Sequence, residues 1–299
     1  MSRKIIVSDV GPRDGFQNLA DYIPVETKLQ IIEGLFDCGL QSVQVTSFVS
    51  PKAIPQMRDA AEIADICAEK YPDKDIFALV PNLRGAQSAV EHGIKKVSNV
   101  VSLSESHNKA NIRRTHEESL AELMRIKESF PELDVNVDLA TTFGCPFEGE
   151  QPLDKILGFI GKLKDIGIKT VDLCDTVGYA DPGLVRRVVK AAKENFPELE
   201  FALHIHDTRG MGLANTLAGI ECGIDNVQST LGGLGGCPFA PGASGNTSTE
   251  DLVYMLNKMG FDTGVDFDKI LALAKFQKSI ISGNYSGHWI NIGDRECCG

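Results

Sequence analysis

The sequence predicts a (β/α)8 TIM barrel with extra C-terminal helices. Short apolar and β-branched runs recur about every thirty residues along the 299-residue chain, and segments with helical spacing separate them. No long low-complexity linker interrupts this alternation. We therefore expect a single domain over residues 1–299, with the barrel over about 1–250 and a helical appendage over about 250–290.

The elements follow in order along the chain. Eight runs are predicted as strands: 4–9, 42–47, 76–80, 96–101, 133–139, 169–174, 200–206 and 226–231. Helical spacing is clearest in the segments 25–38, 117–129, 152–166, 182–195 and 211–222. Gly39, Gly93, Gly167 and Gly223 stand between a helical segment and the next strand. Glycine there is typical of the left-handed residue that ends a helix.

Composition excludes several classes of function. The net charge of −11 disfavours a nucleic-acid binder, which needs a basic face. The sequence contains no run of 18 apolar residues, so it predicts no membrane span. The run Ile5–Val7 is too short for a signal-peptide core. The eight cysteines form no CxxC pair, so we expect reduced thiols and a cytoplasmic protein.

Three polar side chains are predicted at the carboxyl ends of strands, where such barrels place their active sites. His204 and His206 end the seventh strand two residues apart, so both rings point to one face. Asp14 follows the first strand in the stretch Gly11–Gly15, beside Arg13. Two imidazoles and a carboxylate suit a divalent cation, and the arginine suits a carbonyl or carboxylate. The alternative to metal ligands is that His204 and His206 are structural histidines with their hydrogen bonds satisfied, and that Asp14 belongs to a polar turn.

The most glycine-dense stretch follows the eighth strand, over 232–246. Such a loop suits a lid over a substrate, with Cys237 as a reachable acid or base. Asn246 would either cap the next helix or offer its carbonyl oxygen to a metal. A structural glycine turn with an incidental cysteine is the alternative. The thiol-free set of oxygen and nitrogen ligands favours Mg²⁺ or Mn²⁺ over Zn²⁺.

Taken together, these motifs resemble 3-hydroxy-3-methylglutaryl-CoA lyase over nearly the whole chain. The segments that carry the resemblance are PRDG at 12–15, SFVSPK at 47–52, PNLRG at 81–85, GCPFEG at 144–149, DTVG at 175–178, HIHDTRGMGLANT at 204–216 and GGLGGCPFAPGASGN at 232–246. This family belongs to a wider barrel group of metal-dependent lyases and Claisen-type synthases. The glycine-cysteine loop is its most specific element.

The resemblance implies a role for each matching residue. It makes Asp14, His204, His206 and Asn246 the metal ligands. It makes Arg13 the residue that stabilises the enolate, Cys237 the catalytic cysteine, and Asp175 a further active-site acid. It also implies an acyl-CoA substrate, cleaved to acetyl-CoA and a keto acid such as acetoacetate, and a homodimer.

Four positions depart from the family pattern. Gln44 stands where the family usually has glutamate, Asn136 where it has arginine, Asp138 where it has an aromatic residue and Asp172 where it has serine. We predict that Gln17, Gln44, Asp138 and Asp172 line the substrate pocket. Neutral drift would explain the departures, and so would a pocket rebuilt for another acyl group, such as that of citramalyl-CoA. A condensing synthase and a non-catalytic scaffold are the remaining alternatives.

Overall fold

The computed structural model describes residues 2–236 and 245–293, and within them eight parallel strands close a barrel. The strands are β1 (Ile6–Asp9), β2 (Ser42–Ser47), β3 (Asp75–Leu79), β4 (Lys96–Ser102), β5 (Asp134–Ala140), β6 (Thr170–Asp175), β7 (Glu200–Ile205) and β8 (Asn226–Ser229). Each strand pairs with its neighbours in chain order, and β8 pairs with β1 to close the barrel. The predicted (β/α)8 TIM barrel is confirmed.

Helices surround the barrel. They are α1 (Val25–Asp37), α2 (Ala60–Lys70), α3 (Leu83–Glu91), α4 (Glu105–Ile112), α5 (His116–Ser129), α6 (Leu153–Asp165), α7 (Pro182–Asn195), α8 (Gly212–Glu221), α9 (Thr249–Lys258) and α10 (Phe267–Ile280). The C-terminal helices pack on the barrel, α9 against β1 and α10 against α1 and α9. In the described part of the chain, no helix combines the length and the apolar character needed to cross a membrane.

Local sequence signals explain where helices begin and end. Thr115 and Glu118 form a reciprocal capping box at the start of α5, and Asp181 accepts two backbone N–H bonds before Pro182 at the start of α7. At the opposite ends, Gly39 and Gly167 adopt φ values of +106° and +88°. These positive angles confirm the glycines as left-handed helix stops.

The two faces of each strand differ in polarity. Val137 and Leu139 of β5 and Val171 of β6 belong to the apolar layer between the barrel and its helices. The alternate positions, which point into the barrel, are polar. They include Gln44, Ser98, Asn136, Asp138, Asp172, His204 and Gln228, all buried. Such barrels normally fill their interior with branched apolar side chains, so this polar interior indicates a site.

The structure also differs from the sequence prediction in several elements. Helices α2 and α4 were not predicted, α3 was predicted only by its end before Gly93, and the small antiparallel pair Gly144–Cys145 with Gly149–Glu150 was not predicted. The predicted seventh strand ends one residue too late, because His206 leaves the barrel ladder and forms an isolated bridge with Asn246. The predicted eighth strand extends two residues too far, since β8 ends at Ser229 and a short turn begins at Leu231.

Candidate metal centre and active site

A short turn after β1, Gly11–Gly15, presents Arg13 and Asp14. Asp9 holds this turn, because its Oδ1 accepts the backbone N–H of Gly11 at 2.8 Å and its Oδ2 accepts the hydroxyl of Thr249 at 2.7 Å. A Cβ on Gly11 would lie 2.8 Å from Asp9 Oδ1, so glycine is required at this position. Arg13 and Asp14 are both buried and form an ion pair.

At the end of β7, His204 and His206 face Asp14. One ligand atom from each of these three side chains lies within 4.8 Å of the others. His204 Nε2 is 4.0 Å from Asp14 Oδ2. Burial, with the charge of His204 as a smaller cause, lowers the pKa of His206 to about 4. The ring of His206 is therefore neutral at neutral pH and has a lone pair to donate.

Asp14 is held ionised despite its surroundings. Burial alone would raise the pKa of its carboxyl. The positive charge of Arg13, the two histidines and a hydrogen bond from Asn246 outweigh burial and lower the pKa to about 2. An ionised carboxylate is the form that a cation binds.

Backbone hydrogen bonds bring Asn246 to the same place. Asp207 N donates to Gly245 O at 3.0 Å, and Thr247 N donates to Ile205 O at 3.2 Å, so this segment is fixed to the end of β7. Asn246 Nδ2 then donates to Asp14 Oδ2 at 2.7 Å. A Cβ on Gly235 would come within 2.7 Å of Asn246 Nδ2, which explains one glycine of the loop.

The donor atoms fit a divalent cation. Within residues 2–236 and 245–293, Asn246 Oδ1 and His206 Nδ1 are buried and have no hydrogen-bond partner. Unpaired buried polar atoms are costly, and in a native structure they point to an ion or ligand. A carboxylate, an amide oxygen and two imidazoles without a thiol match the chemistry of a hard or borderline cation. All four predicted metal ligands are thus together at the carboxyl end of the barrel.

A residue that the sequence analysis missed orients one of these histidines. Gln228 of β8 is the register partner of His204, and its Oε1 lies 2.8 Å from His204 Nδ1. Gln228 Nε2 donates to Asp172 Oδ2 at 3.0 Å, so the amide oxygen must face the histidine. His204 Nδ1 therefore donates to this oxygen, and the lone pair of Nε2 faces Asp14.

Replacing Gln228 by leucine should weaken metal binding. The substitution removes the acceptor for His204 Nδ1–H, and loss of such an outer partner typically lowers metal affinity by about 10- to 100-fold. A Mn²⁺ titration followed by electron paramagnetic resonance measures this change. The conservative Gln228→Glu variant keeps an acceptor for His204 and should retain more of the affinity. If Gln228→Leu binds Mn²⁺ as the wild type does, this positioning role is wrong.

Behind the cavity wall, Gln44 completes the contacts of Arg13. Arg13 Nε donates to Gln44 Oε1, while Gln44 Nε2 donates to Ser98 Oγ at 2.8 Å. Both ends of the amide are therefore satisfied. The glutamine keeps an acceptor for the guanidinium without adding a negative charge beside it.

A cavity of about 530 Å³ opens above these residues. Its wall includes Arg13, Asp14, His204, His206, Gln17 and Asp138. The predicted pocket residues Gln17 and Asp138 thus reach the cavity. Gln44 and Asp172 are buried and do not belong to its wall, so the structure places them one layer behind it.

Two predicted catalytic residues are not placed in the cavity. Both oxygens of Asp175 accept backbone N–H bonds, from Tyr179 at 2.7 Å and Ala180 at 3.0 Å. Burial raises the pKa of Asp175 to about 6. This geometry favours a role in shaping the loop after β6, and a catalytic role for Asp175 remains a prediction. Cys237 lies outside the described residues, although its neighbour Gly236 lines the cavity.

Comparison with known proteins decides the family. The model of the HMGL-like family matches residues 4–276. The chain belongs to the HMGL-like family. This HMGL-like protein is 42% identical over 276 residues to hydroxymethylglutaryl-CoA lyase YngG of Bacillus subtilis, and the match covers 92% of each chain. It is 37% identical over 278 residues to the mitochondrial hydroxymethylglutaryl-CoA lyase of Mus musculus, covering 92% of this chain and 85% of the mouse protein.

Solved structures agree with this assignment. The HMGL-like protein superposes on the crystal structure of the Bacillus subtilis HMG-CoA lyase with a TM-score of 0.92 and 39% identity, covering 96% of this chain and 97% of the other. An HMG-CoA lyase from Acinetobacter baumannii, in complex with coenzyme A and 3-methylmalate, gives a TM-score of 0.91 and 38% identity, covering 97% and 95% of the two chains. The protein is a carbon–carbon lyase of the hydroxymethylglutaryl-CoA lyase type.

Proposed function

We propose that this protein cleaves a 3-hydroxyacyl-CoA, with 3-hydroxy-3-methylglutaryl-CoA as the reference substrate, to acetyl-CoA and a keto acid, which for this substrate is acetoacetate. The observation that carries the proposal is the convergence of Asp14, His204 and His206 within 4.8 Å, in the same cavity wall as Arg13. Relatives named as hydroxymethylglutaryl-CoA lyases over 92% of the chain support the choice of thioester.

The reaction breaks the bond between C2 and C3 of the acyl group. A base takes the hydroxyl proton, the C3 oxygen becomes a carbonyl, and the electron pair of the broken bond forms the enolate of acetyl-CoA. A divalent cation, Mg²⁺ or Mn²⁺, bound by Asp14, His204, His206 and Asn246 would lower the pKa of the substrate hydroxyl and fix its orientation. Protonation of the enolate carbon then completes acetyl-CoA.

Protein side chains perform the remaining tasks. Arg13 is fixed by Gln44 and Asp14 before substrate arrives, so its guanidinium can stabilise the growing charge on the thioester oxygen without reorganising. Asp14, ionised at neutral pH, balances positive charge at the metal centre. Cys237 is our candidate for the acid that protonates the enolate carbon, since its neighbour Gly236 lines the cavity.

A second substrate is favoured by specific residues. Gln44, Asn136, Asp138 and Asp172 change the charge of the barrel interior relative to the family pattern. Citramalyl-CoA, which would give acetyl-CoA and pyruvate, is the second candidate for a pocket rebuilt in this way. The proposal also includes cytoplasmic localisation, which the cysteine pattern suggested, and a homodimer, which the family resemblance implied.

Release of acetyl-CoA tests the function. The purified protein, stripped of metal with a chelator, is offered 3-hydroxy-3-methylglutaryl-CoA and citramalyl-CoA with and without Mg²⁺ or Mn²⁺. We expect acetyl-CoA release that depends on the added cation. Equal release without any cation, or no release from either thioester by a protein that binds Mn²⁺, would contradict the proposal. Consumption of acetyl-CoA with a keto acid and hydrolysis of the thioester would instead indicate a synthase.

A further inference from the structure

Two carboxyl groups face each other inside the barrel, beneath the proposed active site. Asp138 of β5 and Asp172 of β6 are register partners on neighbouring strands, and both are buried. Asp138 lines the cavity, whereas Asp172 lies behind it. Asp138 shares the cavity wall with Arg13 and His204, so the pair lies close to the reacting end of the cavity.

The pair is incompletely satisfied by the protein. Among the described residues, none outside the pair donates a hydrogen bond to Asp138 Oδ1 or Asp172 Oδ1, both of which are buried, and Asp172 Oδ2 accepts from Gln228 Nε2. Burial, the negative charge of Asp138 and a hydrogen bond with it raise the pKa of Asp172 well above its ordinary value. Two adjacent buried carboxyls do not both ionise. The carboxyl of Asp172 therefore holds its proton more strongly than an ordinary aspartate does.

The fold itself does not account for the pair. Asp9 and Asp175 each have both oxygens satisfied by N–H or O–H donors that fix a turn. In the described part of the chain, neither Asp138 nor Asp172 accepts a backbone N–H that would fix a turn, and a buried pair of charged residues can often be replaced by apolar residues without loss of stability. An unpaired carboxyl oxygen on a residue that lines a cavity points instead to a ligand group that completes it.

The surroundings of Asp138 restrict the chemistry of that group. The neighbouring wall is apolar, with Leu79, Val100 and Ala140 lining the cavity. The burial and the crowding that raise the pKa of Asp172 also disfavour a third carboxyl group at this place. An alcohol fits best, because its hydroxyl can donate to a carboxyl oxygen of Asp138 and can also accept a proton, whereas an ammonium only donates.

We infer that the Asp138–Asp172 pair is a specificity element that selects acyl groups carrying a second hydroxyl. Asp138 hydrogen-bonds this hydroxyl, and Asp172, held by Gln228, keeps Asp138 in position. The inference rests on the proposed function for the identity of the thioester and the reacting C3 hydroxyl. It extends the substrate class to 3-hydroxyacyl-CoA thioesters whose C3 substituent is hydroxylated rather than a plain methyl group.

A matched pair of thioesters tests this inference. We compare 3-hydroxy-3-methylglutaryl-CoA with 3-hydroxy-3-(hydroxymethyl)glutaryl-CoA, which differs by one oxygen, using both enantiomers of the latter. The wild type should favour the hydroxylated thioester in kcat/KM by at least about tenfold, since a site built to bind a hydroxyl rejects an analogue that lacks it. In Asp138→Leu this preference should disappear or reverse, while Mn²⁺ affinity stays unchanged.

The control is Asp134→Asn, because Asp134 lies exposed at the far end of the same strand. It should retain the wild-type preference. Dissociation constants for both thioesters are also measured in a catalytically disabled Arg13→Met protein loaded with Mn²⁺. This binding measurement separates the proposed lyase function from the proposed selectivity. A tenfold preference in binding for the hydroxylated thioester supports the role of the Asp138–Asp172 pair even when no thioester is cleaved. The inference would be overturned if both thioesters bound with equal dissociation constants. It would also be overturned if Asp138→Leu lowered kcat/KM for both thioesters by the same factor.

Discussion

Asp14→Asn is expected to lose nearly all activity together with its metal. Asparagine keeps the shape of the side chain and removes the negative charge that faces His204 and His206. A bound cation contributes several kcal/mol of charge stabilisation in the transition state. We therefore expect kcat to fall by about a thousandfold or more, since each 1.36 kcal/mol corresponds to a factor of about ten.

Two measurements on Asp14→Asn check this expectation. Acetyl-CoA release gives the loss of activity, and a Mn²⁺ titration gives the loss of affinity. Asp21→Asn is the matched control, because Asp21 is an exposed aspartate in the same segment of the chain and should behave as the wild type. Full Mn²⁺ affinity in Asp14→Asn would show that this carboxylate is not a ligand.

Arg13→Met should also inactivate the enzyme, but with the opposite effect on metal binding. The substitution removes the guanidinium that lines the cavity beside Asp14. Loss of one donor that stabilises a developing oxyanion typically costs about 10² to 10³ in kcat. Mn²⁺ affinity should hold or rise, because a positive charge next to the cation site disappears.

Steady-state kinetics separate this effect from simple loss of binding. A fall in kcat with little change in KM is the signature of an interaction made in the transition state. Arg187→Met provides the control, since Arg187 forms an exposed ion pair with Glu150 on the surface. An unchanged kcat in Arg13→Met, or a loss of Mn²⁺ affinity similar to that in Asp14→Asn, would rule out the proposed role.

The sequence allowed the barrel to be predicted because its strands are apolar and its turns are marked. β2 was predicted with its observed bounds, and most other strands within one or two residues. Helix α4 was missed because it buries polar side chains, His107 and Asn108, rather than an apolar stripe. The barrel supplies hydrogen bonds that stabilise such a helix, as when Asn108 Oδ1 accepts from Ser102 N at the end of β4.

The convergence of the candidate metal ligands could be predicted for a different reason. Asp14, His204 and His206 follow strand ends, and strand ends of a parallel barrel meet at one rim. Gln228 could not be found in this way, because its contact with His204 depends on the register between β7 and β8. Asp175 ends a strand like the others, yet backbone groups of the next loop take both its oxygens. Position in a strand predicts proximity but not which groups a side chain will bind.

The central claim is that Asp14, His204 and His206 hold one divalent cation. A crystal of the protein grown with Mn²⁺ tests it most directly, because anomalous scattering locates the ion independently of its ligands. We predict one strong peak within bonding distance of His204 Nε2, a ring nitrogen of His206 and the carboxylate of Asp14. A peak elsewhere in the barrel, or no peak in a protein that cleaves the thioester, would contradict this account.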